Sequence, residues 1–286
     1  MQDCSSCSSG GWTLLYPLVG SIYATTDPEW VVKRLGFVSV SDSGTPMEIC
    51  EELDATLAVY NTRHLIRNAP AFPRSVSDFC GVERDHAWYA MRRYDGVLSL
   101  SPGTATGPDF WSRHWKHMAV QVLAFLEDYH TVCRRVHMDI KGDNILIDLS
   151  GCRFIVGDFG LSCFPGRKPL TKYSADYLWY YLEFGAELDS PIASWRFDLT
   201  ALGYLLARLC WNPECGETFI EMCRTARREG PGTLTPSTLV AKRSMEIARG
   251  ITPVLYAYFD MLDAISWYEP EPPPRLFYRS LASLFS

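Results

Sequence analysis

The chain has 286 residues, room for one large domain or two small ones at roughly 150 residues each. With 47% hydrophobic and 21% charged residues it holds enough apolar side chain to bury a core, which excludes a largely disordered protein. Its 27 basic and 33 acidic residues give a net charge of −6, so there is no global positive field for gripping nucleic acid, and no direct nucleic-acid binding is expected.

Residues 1–11 are polar and Ser-rich, with no basic start and no apolar run; they read as a flexible tail, not a secretory signal. Cys4 and Cys7 form a lone C-x-x-C pair in it, two ligands short of a zinc site. The ten cysteines are scattered, and without an export signal they imply reduced thiols and an intracellular protein of cytoplasm or nucleus. Residues 12–16, 20–24 and 30–33 are β-rich and predict antiparallel strands, with a turn over 25–29. After Pro46 the apolar residues Ile49, Leu53, Leu57 and Tyr60 recur at helical spacing, so residues 47–60 predict a helix. Two more strands are predicted near 78–81 and at 87–91, and the Ser, Pro, Gly and Thr of 99–108 predict a loop. Residues 110–131 predict one long amphipathic helix, followed by a β-hairpin of 144–148 and 152–156. Residues 197–211 predict a buried helix, and the remainder reads as mostly helical with breaks at 230–236 and 269–274. The longest apolar stretch, 199–211, is interrupted by Thr200, Gly203 and Arg208 and is shorter than the ~20 residues a bilayer needs, so no membrane association is expected.

The stretch from His137 to Asn144 places Asp139, Lys141 and Asn144 on a loop between the long helix and the hairpin. The hairpin returns the chain to its start, which brings Asp158 of Asp158-Phe159-Gly160 back toward Asp139 and Asn144. Asn144 and Asp158 are hard oxygen donors suited to Mg²⁺. A loop lysine suits a transferring phosphoryl group, and Asp139 is placed to hold a nucleophilic hydroxyl. Phosphoryl transfer needs this combination, because it depends on positioning and charge neutralisation.

In these residues the chain resembles the eukaryotic-type protein kinase superfamily. His137-Met138-Asp139-Ile140-Lys141-Gly142-Asp143-Asn144 is similar to the kinase catalytic loop, and Asp158-Phe159-Gly160 to its metal-binding triplet. The resemblance implies an α+β, two-lobed fold with a small β-rich N-lobe carrying one helix (12–91), a hinge (92–96) and a larger, mainly helical C-lobe (97–286). It implies an ATP- and Mg²⁺-dependent enzyme acting on Ser or Thr of protein substrates, with Asp139 and Lys141 catalytic and Asn144 and Asp158 on the metal. Lys33 would hold the α- and β-phosphates and be braced by a carboxylate from the following helix, for which Glu48, Glu51 and Glu52 are candidates and Glu52 is favoured. Met91 would gate the pocket, backbone groups near Arg92–Tyr94 would pair with adenine, and Ile22 would cover it. The residues 179–183 resemble the end of the activation segment, which implies a buried pair between Glu183 and Arg275, with Arg279 as the rival. Asp198 resembles the residue that holds the catalytic loop from below; a helix cap is the alternative.

Two departures from the family stand out. In the phosphate-cradling loop only Gly20 remains, with Leu15 and Pro17 at the first two glycine positions, and Pro17 has no N–H to offer. Met138 stands where many kinases have an arginine that meets a phosphate on the activation segment. A phosphate on Thr171, Tyr173 or Ser174 would then have only Arg134 or Arg135 nearby, so activity without such phosphorylation is expected, the segment being held by Phe164, Tyr177 and Trp179. The worn loop and small first lobe also resemble the divergent kinases of large DNA viruses, which would place the protein in a host cell. The alternatives are a kinase fold used only for binding, and a small-molecule phosphotransferase of the aminoglycoside type. No motif specifies an oligomeric state.

Overall fold

The computed structural model describes residues 8–9, 11–36, 47–83, 86–98, 108–167, 192–210 and 252–286. Strands β1 (Ser8–Ser9), β2 (Trp12–Val19), β3 (Ile22–Thr25) and β4 (Trp30–Gly36) lead to helix α1 (Met47–Thr62). A short helix α2 (Val76–Phe79), β5 (Cys80–Val82) and β6 (His86–Arg92) complete a six-stranded sheet of order β1-β2-β3-β4-β6-β5. Strands β4 and β6 are in antiparallel register from Trp30 opposite Arg92 to Gly36 opposite His86. Every residue of β6 but the last is buried, so both faces of this strand are covered. Val31, Leu35, Ala87, Tyr89 and Met91 face α1 and the main core, while Val32, Trp88 and Ala90 join Leu14 in a small second cluster. The Trp12 indole donates to Asp78 O at 2.8 Å, tying the start of β2 to α2.

The rest is built on helix α3 (Pro108–Asp128), whose Met118, Ala119, Val122, Leu123, Phe125 and Leu126 are buried. Strands β7 (Gly96–Val97), β8 (Ile145–Asp148) and β9 (Arg153–Val156) form a small three-stranded sheet beside it. Helices α4 (Trp195–Cys210), α5 (Thr252–Asp263) and α6 (Arg275–Ser283) close the core. A Cβ on Gly203 would lie 2.8 Å from the Phe259 ring, so the α4–α5 approach requires glycine there.

Two predicted elements differ. The strand expected at 78–81 begins as helix α2, because a helical turn swings Phe79 into an aromatic cluster: its ring stacks on Tyr60 at 4.1 Å and meets Phe72 edge-on at 4.9 Å. The helix expected over 110–131 is regular only to Asp128. It then widens into a π-helical turn, Tyr129–Cys133, and stops at Arg134 in the left-handed region, φ 56°. Most of the expected tail, Cys4 and Cys7 included, lies outside the described residues, as do the break at 230–236 and the residues 168–191. No helix among the described residues is long and apolar enough to cross a membrane.

Candidate active site

The loop from Val136 to Asn144 is anchored from below by Asp198. This fully buried carboxylate sits in the first turn of α4 and turns toward the loop. It accepts the backbone N–H groups of His137 at 2.6 Å and Met138 at 2.8 Å, and it meets His130 Nε2 at 2.8 Å. His130 Nδ1 in turn meets the Tyr278 hydroxyl of α6 at 2.7 Å. Met138 takes φ 64°, a left-handed conformation that a non-glycine residue keeps only where its surroundings impose it. The two Asp198 bonds to consecutive amides supply that constraint. His137 is wholly buried; its Nδ1 accepts the Asp139 N–H at 3.2 Å, so its Nε2 carries the proton and donates to Gly157 O at 3.1 Å. Burial lowers the His137 pKa and keeps the ring neutral.

Asp139, Lys141 and Asn144 converge at the end of this loop. Asn144 Nδ2 donates to Asp139 O at 2.8 Å and to Asp139 Oδ2 at 2.7 Å, and Lys141 Nζ stands 3.2 Å from the same Oδ2. With both amide bonds made through Nδ2, the Asn144 Oδ1 is left for a hard cation.

A second group forms where α1 and β9 approach β4. Lys33 Nζ lies 2.7 Å from Glu52 Oε1 and 2.8 Å from Asp158 Oδ1. Glu52, the favoured one of the three candidate glutamates, thus meets Lys33. Asp158, at φ 56°, also accepts the Gly160 N–H on Oδ1 at 3.2 Å, which leaves Oδ2 for a cation. The buried Tyr89 hydroxyl donates to Glu52 Oε1 at 3.2 Å. Burial works against a charged Lys33, but the surrounding Tyr89, Asp158 and Glu52 oxygens outweigh it, and its pKa lies well above the usual lysine value. One ammonium between two carboxylates divides them. Burial pushes Glu52 up despite Lys33, whereas for the more exposed Asp158 the Lys33 charge overcomes burial and holds the carboxyl down.

The glycine-poor segment forms the β2–β3 hairpin, turning at Gly20 with φ 53°. Leu15 and Pro17 lie within β2, where the register slips on either side of Pro17, and Leu15 is 47% exposed. Ile22 pairs with Lys33, and the buried Met91 pairs with Val31. At the hinge, the Arg92 N–H donates to Ala71 O at 2.8 Å and the Arg93 N–H to Glu29 O at 2.7 Å. These bonds withdraw two of the expected adenine-facing amides and leave that of Tyr94, whose hydroxyl accepts the Ala71 N–H at 2.8 Å.

Arg275 is not buried as expected, and Glu183, the other half of its expected pair, lies outside the described residues. The Arg275 side chain is half exposed and bonds the Thr131 hydroxyl at 3.2 Å, with Glu127 Oε1 3.8 Å and Asp128 Oδ1 3.9 Å away. Arg279 also reaches Glu127, at 3.6 Å. These arginines turn to α3 because Glu127 and Asp128 are buried there and need cations, which Arg67 also supplies at 2.8 and 2.7 Å. Thr171, Tyr173, Ser174, Tyr177 and Trp179 also lie outside the described residues. Sequence reasoning missed Tyr89 and His130. Tyr89 could have been found from its position two residues before Met91, on the same strand face; for His130 no local signal exists.

No protein-family model matches the sequence, and no curated protein sequence does. Solved structures do match. A kinase of Cydia pomonella granulovirus, PK-1, aligns with a TM-score of 0.51 at 18% identity, over 80% of this chain and 78% of that one. Vaccinia related kinase 3 aligns with a TM-score of 0.54 at 16% identity, over 96% of this chain and 85% of that one. The antiparallel sheet with its single long helix, set against a helical region, is thus the two-lobed protein-kinase fold.

Proposed function

We propose that this protein is a phosphotransferase that moves the γ-phosphoryl group of ATP to Ser or Thr hydroxyls of protein substrates. The observation that carries the reading is Lys33, held at 2.7 and 2.8 Å between Glu52 and Asp158, in a chain whose Asp139, Lys141 and Asn144 converge on one loop. A charged lysine fixed by two carboxylates suits the α- and β-phosphates. Asn144 Oδ1 and Asp158 Oδ2 are the donors for Mg²⁺. Among the described residues no three His, Cys, Asp or Glu side chains form a metal cage of their own. A pair of oxygen donors beside a phosphate-facing lysine instead suits a cation that keeps waters and takes phosphate oxygens. Mg²⁺ there would neutralise charge on the phosphates.

Asp139 orients the acceptor hydroxyl and takes its proton, and Lys141 neutralises the γ-phosphoryl oxygens. Ile22 and Met91 bound the adenine pocket, with Leu15 and Gly20 over its mouth and the Arg92–Tyr94 backbone at its edge. Lys141, two residues after Asp139, favours Ser and Thr over Tyr by its resemblance to Ser/Thr-directed loops. The test is incubation with Mg-ATP and a generic protein substrate, wild type beside Asp139→Asn, followed by identification of the phosphorylated amino acid. Phosphoserine or phosphothreonine from wild type alone is the expected result. A second reading, a nucleotide-binding module without turnover, is favoured by Pro17, which removes a phosphate-facing N–H. Its signature is Mg-ATP binding with no transfer by either protein.

A further inference from the structure

Arg135 is an arginine with only 5% exposure, and the Mg-ATP site just described makes no use of it. Its Nη2 forms an ion pair with Asp54 of α1. Its guanidinium also lies 4.3 Å from the centroid of the Phe164 ring. The second contact follows from the local register. Val136 and Cys163 form an antiparallel bridge, exchanging N–H···O bonds of 2.9 and 3.1 Å, so the preceding residue 135 faces the following residue 164. The first contact follows from the left-handed turn at Arg134, which sends Arg134 out to Glu271 and Arg135 toward α1.

Glu52 and Asp54 are two residues apart, roughly 200° around a helix. Helix α1 is therefore gripped on opposite sides: Glu52 by Lys33 from the sheet, Asp54 by Arg135 from the helical region. We infer that Arg135 is a positioning residue for phosphoryl transfer, joining α1 to the chain that leaves Asp158 so that Glu52 and Asp158 stay on Lys33 together. Moving α1 outward breaks the Asp54 pair, and moving the segment at Phe164 uncovers a desolvated cation. Lysine is a poor replacement, because only a planar guanidinium can lie on a ring and pair at its edge. The inference rests on the phosphotransfer reading for its kinetic consequence but not for the clamp itself.

Two measurements test it. The first is kcat/KM for ATP of Arg135→Met, Arg135→Lys, Asp54→Asn and Phe164→Leu, each in the wild-type and Glu52→Gln backgrounds. Arg135→Met is expected to lose about 10–100-fold with the KM for the protein acceptor unchanged, and less than about threefold where Glu52 is already Gln. Arg135→Lys recovers part of the loss, Asp54→Asn and Phe164→Leu each lose about fivefold, and Arg134→Ala loses none. Equal losses in the two backgrounds would overturn the inference, as would wild-type values for Asp54→Asn and Phe164→Leu, whose side chains are exposed enough to change without unfolding the protein. The second is amide hydrogen exchange without nucleotide. The same substitutions should raise exchange over residues 51–60 and 162–166 together and leave α3 protected. Unchanged exchange there defeats the clamp whatever the activity, whereas a responsive clamp in a wild type that transfers no phosphate defeats the phosphotransfer reading alone.

Discussion

The loop from Val136 to Asn144 and the β2–β3 hairpin are the two pieces of chain that would face the reacting phosphates from either side, and they are built in opposite ways. In the loop, His137, Asp139 and Asn144 are at most 6% exposed, and the N–H groups of residues 137, 138 and 139 each have a named acceptor. In the hairpin, Leu15 and Tyr16 are 47% and 54% exposed, Pro17 has no N–H, and a Cβ on Gly20 would touch nothing within 4 Å. One element is an extension of the core. The other is held in the sheet at Trp12 and Leu14 but is open to solvent at Leu15, Tyr16 and its turn. Under the proposed function the difference would separate two tasks: holding a proton acceptor and metal ligands to fractions of an ångström, and covering a nucleotide, which tolerates looser construction.

The largest test of this contrast is Asp158→Ala, which removes a Lys33 partner and the proposed metal donor. Transfer should fall by about 10³-fold or more, ~4 kcal/mol of barrier, and wild-type turnover would remove Asp158 from the chemistry. Next is Asp198→Ala. It strands two amides and His130 in the core and should cost about 3–5 kcal/mol in denaturant unfolding; a loss below about 1 kcal/mol would mean that the loop holds its shape unaided.

The third test is pH. Glu52 must be ionised to hold Lys33, and burial places its folded pKa above the ordinary 4.5, while Asp158 lies below 3.8 and is ionised throughout that range. The acid limb of kcat/KM for ATP should therefore follow Glu52. Tyr89→Phe deletes a donor to its carboxylate and should move that limb to higher pH, and a limb that stays put assigns it to another group. For stability the signs oppose: the Glu52 contribution is full below 4.5 and lost as pH rises through its folded value, and the Asp158 contribution is present above 3.8 and lost as pH falls through its own. The smallest effect belongs to the loose side. Pro17→Gly restores one N–H, worth about 1 kcal/mol, and should lower the KM for ATP by about fivefold. A higher KM would show that the proline's rigidity serves the hairpin better than a donor would.

The residues carrying the candidate chemistry were legible because they lie close in sequence. His137, Asp139, Lys141 and Asn144 share one loop, and a tight hairpin returns the chain to Asp158. The strands and α1 were legible for the same reason, since alternation and helical spacing are local. Glu52 was favoured over its neighbours only weakly from sequence, and a distance was needed to separate them. Tyr89 and Arg135 act on partners 37 and 81 residues away, on other elements, and no spacing rule reaches that far. The approach of Arg275 to Glu127 and Asp128 was not legible, because this buried acidic pair sits at the end of what the sequence presents as an ordinary amphipathic helix. The π-helical turn was hidden because its residues also satisfy helical periodicity.

That turn, Tyr129–Cys133, has a consequence for how the chain can change length. A π-helical turn accommodates one more residue than a regular turn, so losing any single residue there would heal the helix to ordinary winding. Each residue of a regular helix advances its neighbours by roughly 100°, so a deletion within α3 would re-aim Arg134, Arg135 and the Asp139 loop, whereas the π turn can give up its extra residue and leave them facing as they do. A single-residue deletion should therefore be tolerated between Tyr129 and Cys133 and be lethal to the site one or two turns earlier, although neither stretch touches substrate. The spare residue of the chain is stored at the end of α3, next to the loop it feeds.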